Sequence, residues 1–151
     1  MNKQFNKIIE WMELLSIIAI ITSSYLLYLH YADTTSFCDI SQGLSCDIVN
    51  KSMYSEFPPG SGVPVSLMGI IAFLIIIIML KRIRKDKKHR KVLSNVLFYV
   101  MILSLIFALY LIYTELFLIL SICILCVALD IIIITELILS YKLRRMCYVK
   151  N

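Results

Sequence analysis

Four long apolar stretches constrain this chain more than any other feature. They read "LLSIIAIITSSYLLYLHY" (14–31), "PVSLMGIIAFLIIIIML" (64–80), "VLSNVLFYVMILSLIFALYLIY" (92–113) and "LFLILSICILCVALDIIIITELILSY" (116–141). A hydrocarbon core about 30 Å thick takes about 20 helical residues to cross. Lipid satisfies no backbone polar group, so each stretch must be helical. The pattern predicts an all-α, integral membrane four-helix bundle, with spans near 12–31, 64–80, 92–113 and 116–141. The chain is 60% hydrophobic with a mean hydropathy of +0.87, whereas soluble domains run near half apolar. Spans and the segments that connect them take up its 151 residues, so one membrane domain over 1–151 is expected and a separate soluble domain is excluded. The first stretch is longer than a signal-peptide core, and no small-x-small cleavage site follows it, so it reads as a retained span.

The net charge of +5 would suggest nucleic acid until it is mapped. Lys3 and Lys7 precede the first span. Lys81, Arg82, Arg84, Lys85, Lys87, Lys88, Arg90 and Lys91 join spans two and three, and Lys142, Arg144, Arg145 and Lys150 follow span four. Only Lys51 falls between spans one and two. The basic segments therefore share one side, which the positive-inside rule makes cytoplasmic, with both termini there in the cell membrane. Topology accounts for the charge, and no nucleic-acid partner is expected. The outer side then holds the loop 32–63 and a tight turn near Thr114 and Glu115, with the acidic residues Asp33, Asp39, Asp47, Glu56 and Glu115. Tyr25, Tyr28, Tyr31, Tyr110 and Tyr113 gather at the outer span ends, as an interfacial aromatic belt does.

This map sorts the thiols. Cys38 and Cys46, in "SFCDISQGLSCDIV", lie in the outer loop, where disulfides persist. Cys147 is on the cytoplasmic side and reads as a spare reduced thiol. Cys123 and Cys126, in "SICILC", fall two to three turns into the long fourth span, within reach of a folded-back loop. Spacing of three puts them on one helix face. C-x-x-C at a helix start is the usual redox arrangement, because the positive helix end favours thiolate. Three readings compete. Cysteine is a common small apolar filler, but a second pair on the same side argues against chance. Four thiols suggest a Cys₄ zinc site, yet zinc ligand pairs favour two to four intervening residues, and the loop pair has seven. A dithiol–disulfide relay remains. In it, a flexible outer pair exchanges with a soluble protein and then with the buried pair, which faces lipid-soluble oxidants such as quinones.

The set "CDISQGLSC", then "VPVSLMG" opening a span, then "CILC" early in the last span resembles vitamin K epoxide reductase and its prokaryotic homologues, over most of the chain. The resemblance implies a four-helix bundle with a quinone pocket near the outer membrane surface. It also implies roles. Cys38 would exchange with a thioredoxin-like partner, Cys46 would pass electrons to Cys123, and Cys126 would face the quinone. Ser52 matches a small hydroxyl residue that follows the loop pair, and Ser66 and Gly69 lie in the segment that helps to form the pocket. Two positions depart from the vertebrate pattern. Val65 stands where an Asn bonds the quinone, leaving Ser66 or a neighbour to substitute, and Asp130 stands where a Tyr follows the last cysteines. Both departures favour a quinone of the ubiquinone, menaquinone or vitamin K type over vitamin K epoxide. Some prokaryotic homologues carry a fused thioredoxin-like domain; this chain has none, so a separate partner is expected.

Asp130 raises its own question, since an aspartate at mid-span costs roughly 2.5–3.5 kcal/mol on insertion scales. It shares a helical stripe with Cys123 and Cys126, at offsets of three and seven. It reads either as a proton donor or hydrogen-bond partner for quinone or thiolate, or as a carboxyl bonded to a neighbouring helix. Glu136 lies off that stripe and reads as a structural partner, and His30 as an interfacial residue. Two other functions compete with the relay. An unrelated quinone-coupled thiol oxidase would place its C-x-x-C at an early span, which the late position here opposes. A non-catalytic membrane subunit or assembly factor would hold its cysteines in static disulfides or a zinc site.

Overall fold

The computed structural model describes residues 3–32, 35–41 and 43–149; Asp33 and Lys150 of the charge map lie outside the described residues. Helix α1 (Lys3–Tyr31) leads through the outer loop, with the short α2 (Cys46–Asn50) and a 3₁₀ turn (Met53–Ser55), to α3 (Val65–Lys85). Helix α4 (Arg90–Tyr113) runs on as a π-helical segment (Thr114–Ile119), and α5 (Ile124–Val149) ends the fold. Four helices are long and apolar enough to cross a membrane, as the apolar stretches predict.

Helix α1 is the centre of the bundle, packing along α3 and α5, while α4 packs mainly on α5. It buries Phe5, Ile9, Met12, Ser16, Ala19, Ser23 and Leu26. These recur every three or four residues and so form one stripe facing inward. Ile76, Leu80, Ile83, Leu97, Met101 and Leu143 close the core around it. Outward-facing Ile21, Ile71, Ile78, Leu103, Ile106 and Ile131 are exposed, the surface that a bilayer covers. Between lipid-facing helices there is little hydrophobic driving force, so close backbone approach matters more. Gly69 supplies one such approach, since a Cβ there would stand 3.2 Å from Ser23 Oγ.

At the basic end, the α3–α4 turn is held by Asp86. Its carboxylate accepts the N–H groups of Lys88 and His89 and bonds the His89 ring at 2.8 Å. The His89 contacts hold the Asp86 carboxyl below the usual carboxylate range. Arg90 donates to the Ile83 carbonyl at 3.0 Å and lies over the Phe5 ring, joining α4 to the ends of α3 and α1.

The other end departs from the hydropathic boundaries. The α4–α5 turn is not at Thr114 and Glu115, because the helix continues over them to Ile119 and reverses at Leu120, in the left-handed region at φ 57. That conformation costs an L-residue roughly 1–2 kcal/mol. Here it is held by the Glu115 carbonyl, which accepts the N–H groups of Leu120 and Ser121. No Gly, Pro or Asn marks this turn and, Ser121 apart, the residues around Leu120 are apolar, so hydropathy runs through it. Cys123 consequently precedes α5 and Cys126 lies in its first turn, rather than two to three turns inside a span. Asp130 falls in the second turn of α5, at the cysteine end of that helix and not midway along it.

Candidate functional site

The loop pair is positioned by a local capping sequence. Ser45 takes an extended conformation and its hydroxyl accepts the Ile48 N–H at 3.2 Å, starting α2 at Cys46. A cap of this kind contributes about 1 kcal/mol. Asp47 reaches back to accept the Ser36 N–H at 2.9 Å, drawing 36 and 47 together. Cys38 and Cys46 are joined as a disulfide, with their Cα atoms 5.7 Å apart. The pair was expected to be exposed on a flexible loop. Instead Cys38 is 3% and Cys46 0% exposed.

What buries them is the segment before α5. The Gly43 carbonyl accepts the Ile122 N–H at 3.0 Å, and Leu44 pairs alongside Ile122. This strand-like clasp sets the loop disulfide against the C-x-x-C. Cys38, Cys46 and Cys123 share one buried cluster with Leu26 and Val49, and Cys126 packs against it. Cys123 is the capping residue of α5: its sulfur accepts the Cys126 N–H at 3.2 Å and its carbonyl the Val127 N–H at 3.0 Å. The sulfur thus stands where a Ser or Asp oxygen usually does, at the end of a helix that favours negative charge. The Cys123 N–H is itself bonded to Glu115 Oε2 at 3.2 Å. Cys123 and Cys126 are free thiols, as is Cys147, which is buried in the core between the basic helix ends.

Beneath the cysteines lies a cavity of about 470 Å³ between α1, α3, α4 and α5, roofed by the outer loop. Its walls are mostly apolar, including Leu26, Phe73, Met101, Phe107 and Leu129, with Tyr54 and Phe57 in the roof. The polar groups on it are few and include Asn50, Ser66, Ser104, Glu115, Cys126 and Asp130. Size and lining match an apolar small-molecule site with a handful of orienting groups. Ser66 Oγ is buried with no partner, and a buried hydroxyl without a partner costs free energy unless a ligand meets it. A quinone, a flat apolar ring with two carbonyl acceptors, fits this donor set. The cavity thus brings together Ser66, Gly69, Cys126 and Asp130, while Cys38, Cys46 and Cys123 lie in the adjoining cluster. Two cysteines are bonded to each other, and among the described residues no three His, Cys, Asp or Glu side chains gather at metal-binding distance.

Three residues singled out in the sequence lie outside the cavity. Ser52 does not line the cavity; its hydroxyl donates to the Val49 carbonyl at 2.8 Å and closes α2. His30 is tucked under the loop, with Nδ1 donating to the Asn50 carbonyl at 2.7 Å and Nε2 3.8 Å from Glu56. Glu136 is fully buried and accepts from Ser16 Oγ at 2.7 Å, away from the cavity, in keeping with a structural tie. Two cavity residues were missed. Glu115 was read as an exposed turn acid but is 7% exposed. Asn50 anchors the loop to α1, its amide donating to the Leu26 carbonyl at 2.7 Å. Its only signal was a polar residue one helical turn after Cys46.

The model of the Vitamin K epoxide reductase family matches residues 10–141, from within the first long helix to within the last, and takes in both cysteine pairs. No curated protein matches the chain. A match of that extent, over a bundle whose paired cysteines adjoin a quinone-sized cavity, shows that this membrane protein belongs to the vitamin K epoxide reductase family, a family of oxidoreductases acting on quinone-type substrates.

Proposed function

We propose that the protein oxidises the dithiol of a separate thioredoxin-like protein outside the cell membrane, relays the electrons through Cys38/Cys46 and Cys123/Cys126 to a quinone, and so supports disulfide bond formation. Both termini would then face the cytoplasm. The observation that carries this reading is the single buried cluster of Cys38, Cys46 and Cys123, with Cys126 opening from it onto the cavity.

The steps balance as thiol–disulfide exchange. A partner thiolate attacks Cys38, and the partner's second thiolate breaks that mixed disulfide. The partner leaves oxidised, with Cys38 and Cys46 as thiols. Cys46 then attacks Cys123 of a Cys123–Cys126 disulfide, expelling Cys126 as thiolate. Cys38 attacks Cys46, restoring the loop disulfide and releasing Cys123. Two electrons and two protons have now reached the C-x-x-C. A quinone bound in the cavity supplies the terminal oxidant, taking both electrons and both protons to become a quinol as the Cys123–Cys126 bond re-forms. Ser66 would orient it by a hydrogen bond, while Asp130 and Glu115 hold and move protons where water is scarce. The observed connectivity, loop pair bonded and C-x-x-C free, corresponds to the member of this cycle that awaits quinone. Attack on Cys38 requires segment 35–41 to lift away, since the sulfur is buried.

Purified protein given a reduced thioredoxin-like donor and a soluble quinone analogue should reduce the quinone in a donor-dependent way. Cys46→Ser and Cys123→Ser should each abolish turnover. A wild-type protein that neither turns over nor exchanges its loop disulfide with the donor would assign the cysteines a structural role.

A further inference from the structure

At the basic end of the bundle a second concavity, of about 200 Å³, is walled by Tyr141, Arg144, Arg145 and Tyr148 of α5. The Arg144 guanidinium lies 4.9 Å over the Phe98 ring, 5.8 Å over Tyr99 and 5.9 Å over Tyr148. Lys91 Nζ is 5.8 Å from the Tyr148 ring. Aromatic faces fix a guanidinium's plane and attract its charge, but they leave its five N–H donors without an oxygen acceptor. The carboxylates at this end are committed elsewhere. Glu10 and Glu13 pair with Arg84 at 3.6 and 3.8 Å, and Asp86 pairs with His89. Among the described residues no carboxylate meets Arg144 or Arg145. Two adjacent guanidiniums with no counter-charge form a phosphate-type site, since the planar fork matches phosphate oxygens.

The rest of that helix face says which phosphate. Ile131, Ile134, Ile138, Tyr141, Arg145 and Tyr148 are all exposed and follow one another by three or four residues. They make one continuous track, apolar along the membrane and basic-aromatic at its edge. We infer that this concavity binds the phosphate headgroup of an anionic phospholipid, with an acyl chain lying along Ile138, Ile134 and Ile131. Basic pockets at the cytoplasmic ends of spanning helices hold such headgroups. The site is remote from the two cysteine pairs and does not depend on their chemistry.

Native mass spectrometry of protein released from micelles containing phosphatidylcholine and phosphatidylglycerol tests this directly. The wild type should retain phosphatidylglycerol selectively. R144Q/R145Q should lose about thirtyfold in affinity, taking roughly 1 kcal/mol per basic side chain near a lipid surface and tenfold per 1.4 kcal/mol. K87Q/K88Q, which removes equal charge from the exposed α3–α4 turn outside the concavity, should change retention far less than R144Q/R145Q. R144K/R145K keeps charge without the fork and should fall between the two, guarding against a folding defect in the Gln variant. Equal losses in the two Gln variants, or none in R144Q/R145Q, would overturn the site. Inorganic phosphate separates the possible sources: it should leave the lipid bound, and displacement of phosphatidylglycerol beyond that by chloride of equal ionic strength would reassign the site to a soluble anion.

Discussion

Asp130 lines the cavity one turn beyond Cys126, and Glu115 holds the N–H of Cys123 from the preceding element. Quinone reduction consumes two protons, and these are the carboxyls beside the C-x-x-C. Asp130→Asn keeps size and hydrogen bonding but removes proton transfer. It should fold normally and lose roughly 10²–10⁴-fold in quinone reduction rate, the usual range for general acid catalysis. Full activity across the pH range would leave Asp130 as a structural tie. Glu115 should separate two duties. Glu115→Gln preserves an acceptor for the Cys123 N–H, so thermal unfolding in detergent should be unchanged while turnover falls on the order of 10²-fold. Glu115→Ala leaves that buried N–H unpaired, which costs about 1–3 kcal/mol and should lower Tm as well. Equal melting temperatures for the two variants would contradict the positioning role. At this scale the two cysteine pairs and Asp130 were legible as candidates, because thiol pairs and an acid stand out against apolar sequence, and Ser66 and Gly69 only through the family resemblance. Glu115 was not, because its burial follows from a helix that overruns the apparent turn.

The elements explain that failure. Apolar runs locate spans well, since α1 and α4 contain their predicted stretches and α3 all of its own but the capping Pro64. It cannot locate a turn built from Leu120, whose left-handed backbone is sustained by the Glu115 carbonyl and not by residue type. The outer loop likewise read as flexible, yet Gly43–Ile122, Asn50–Leu26 and His30–Asn50 bonds clamp it to the bundle. These contacts join residues far apart in sequence and leave no periodic trace. The α1–α3 contact offers a test at this scale. Gly69→Leu forces a side chain onto Ser23 across the helix pair. It should destabilise the protein by about 1–3 kcal/mol, the cost of overpacking, and narrow the cavity so that KM for quinone rises. A wild-type Tm and KM would show that close approach there is dispensable.

The molecule as a whole places its basic residues at one end and its cysteine pairs at the other, so orientation and chemistry are linked. On the proposed orientation, with both termini in the cytoplasm, an impermeant thiol reagent on intact cells should label the reduced loop pair once the loop is opened by a reductant, and never Cys147. Labelling of Cys147 alone would invert the topology. The central claim is electron transfer between Cys46 and Cys123, and the double variant Cys38→Ala/Cys126→Ala isolates it by removing both resolving thiols. Under mild oxidation in membranes, peptide mapping without reductant should recover a Cys46–Cys123 disulfide in most of the protein. Recovery of both residues as free thiols, in a folded variant under conditions that re-form the Cys38–Cys46 bond in wild type, would contradict the relay.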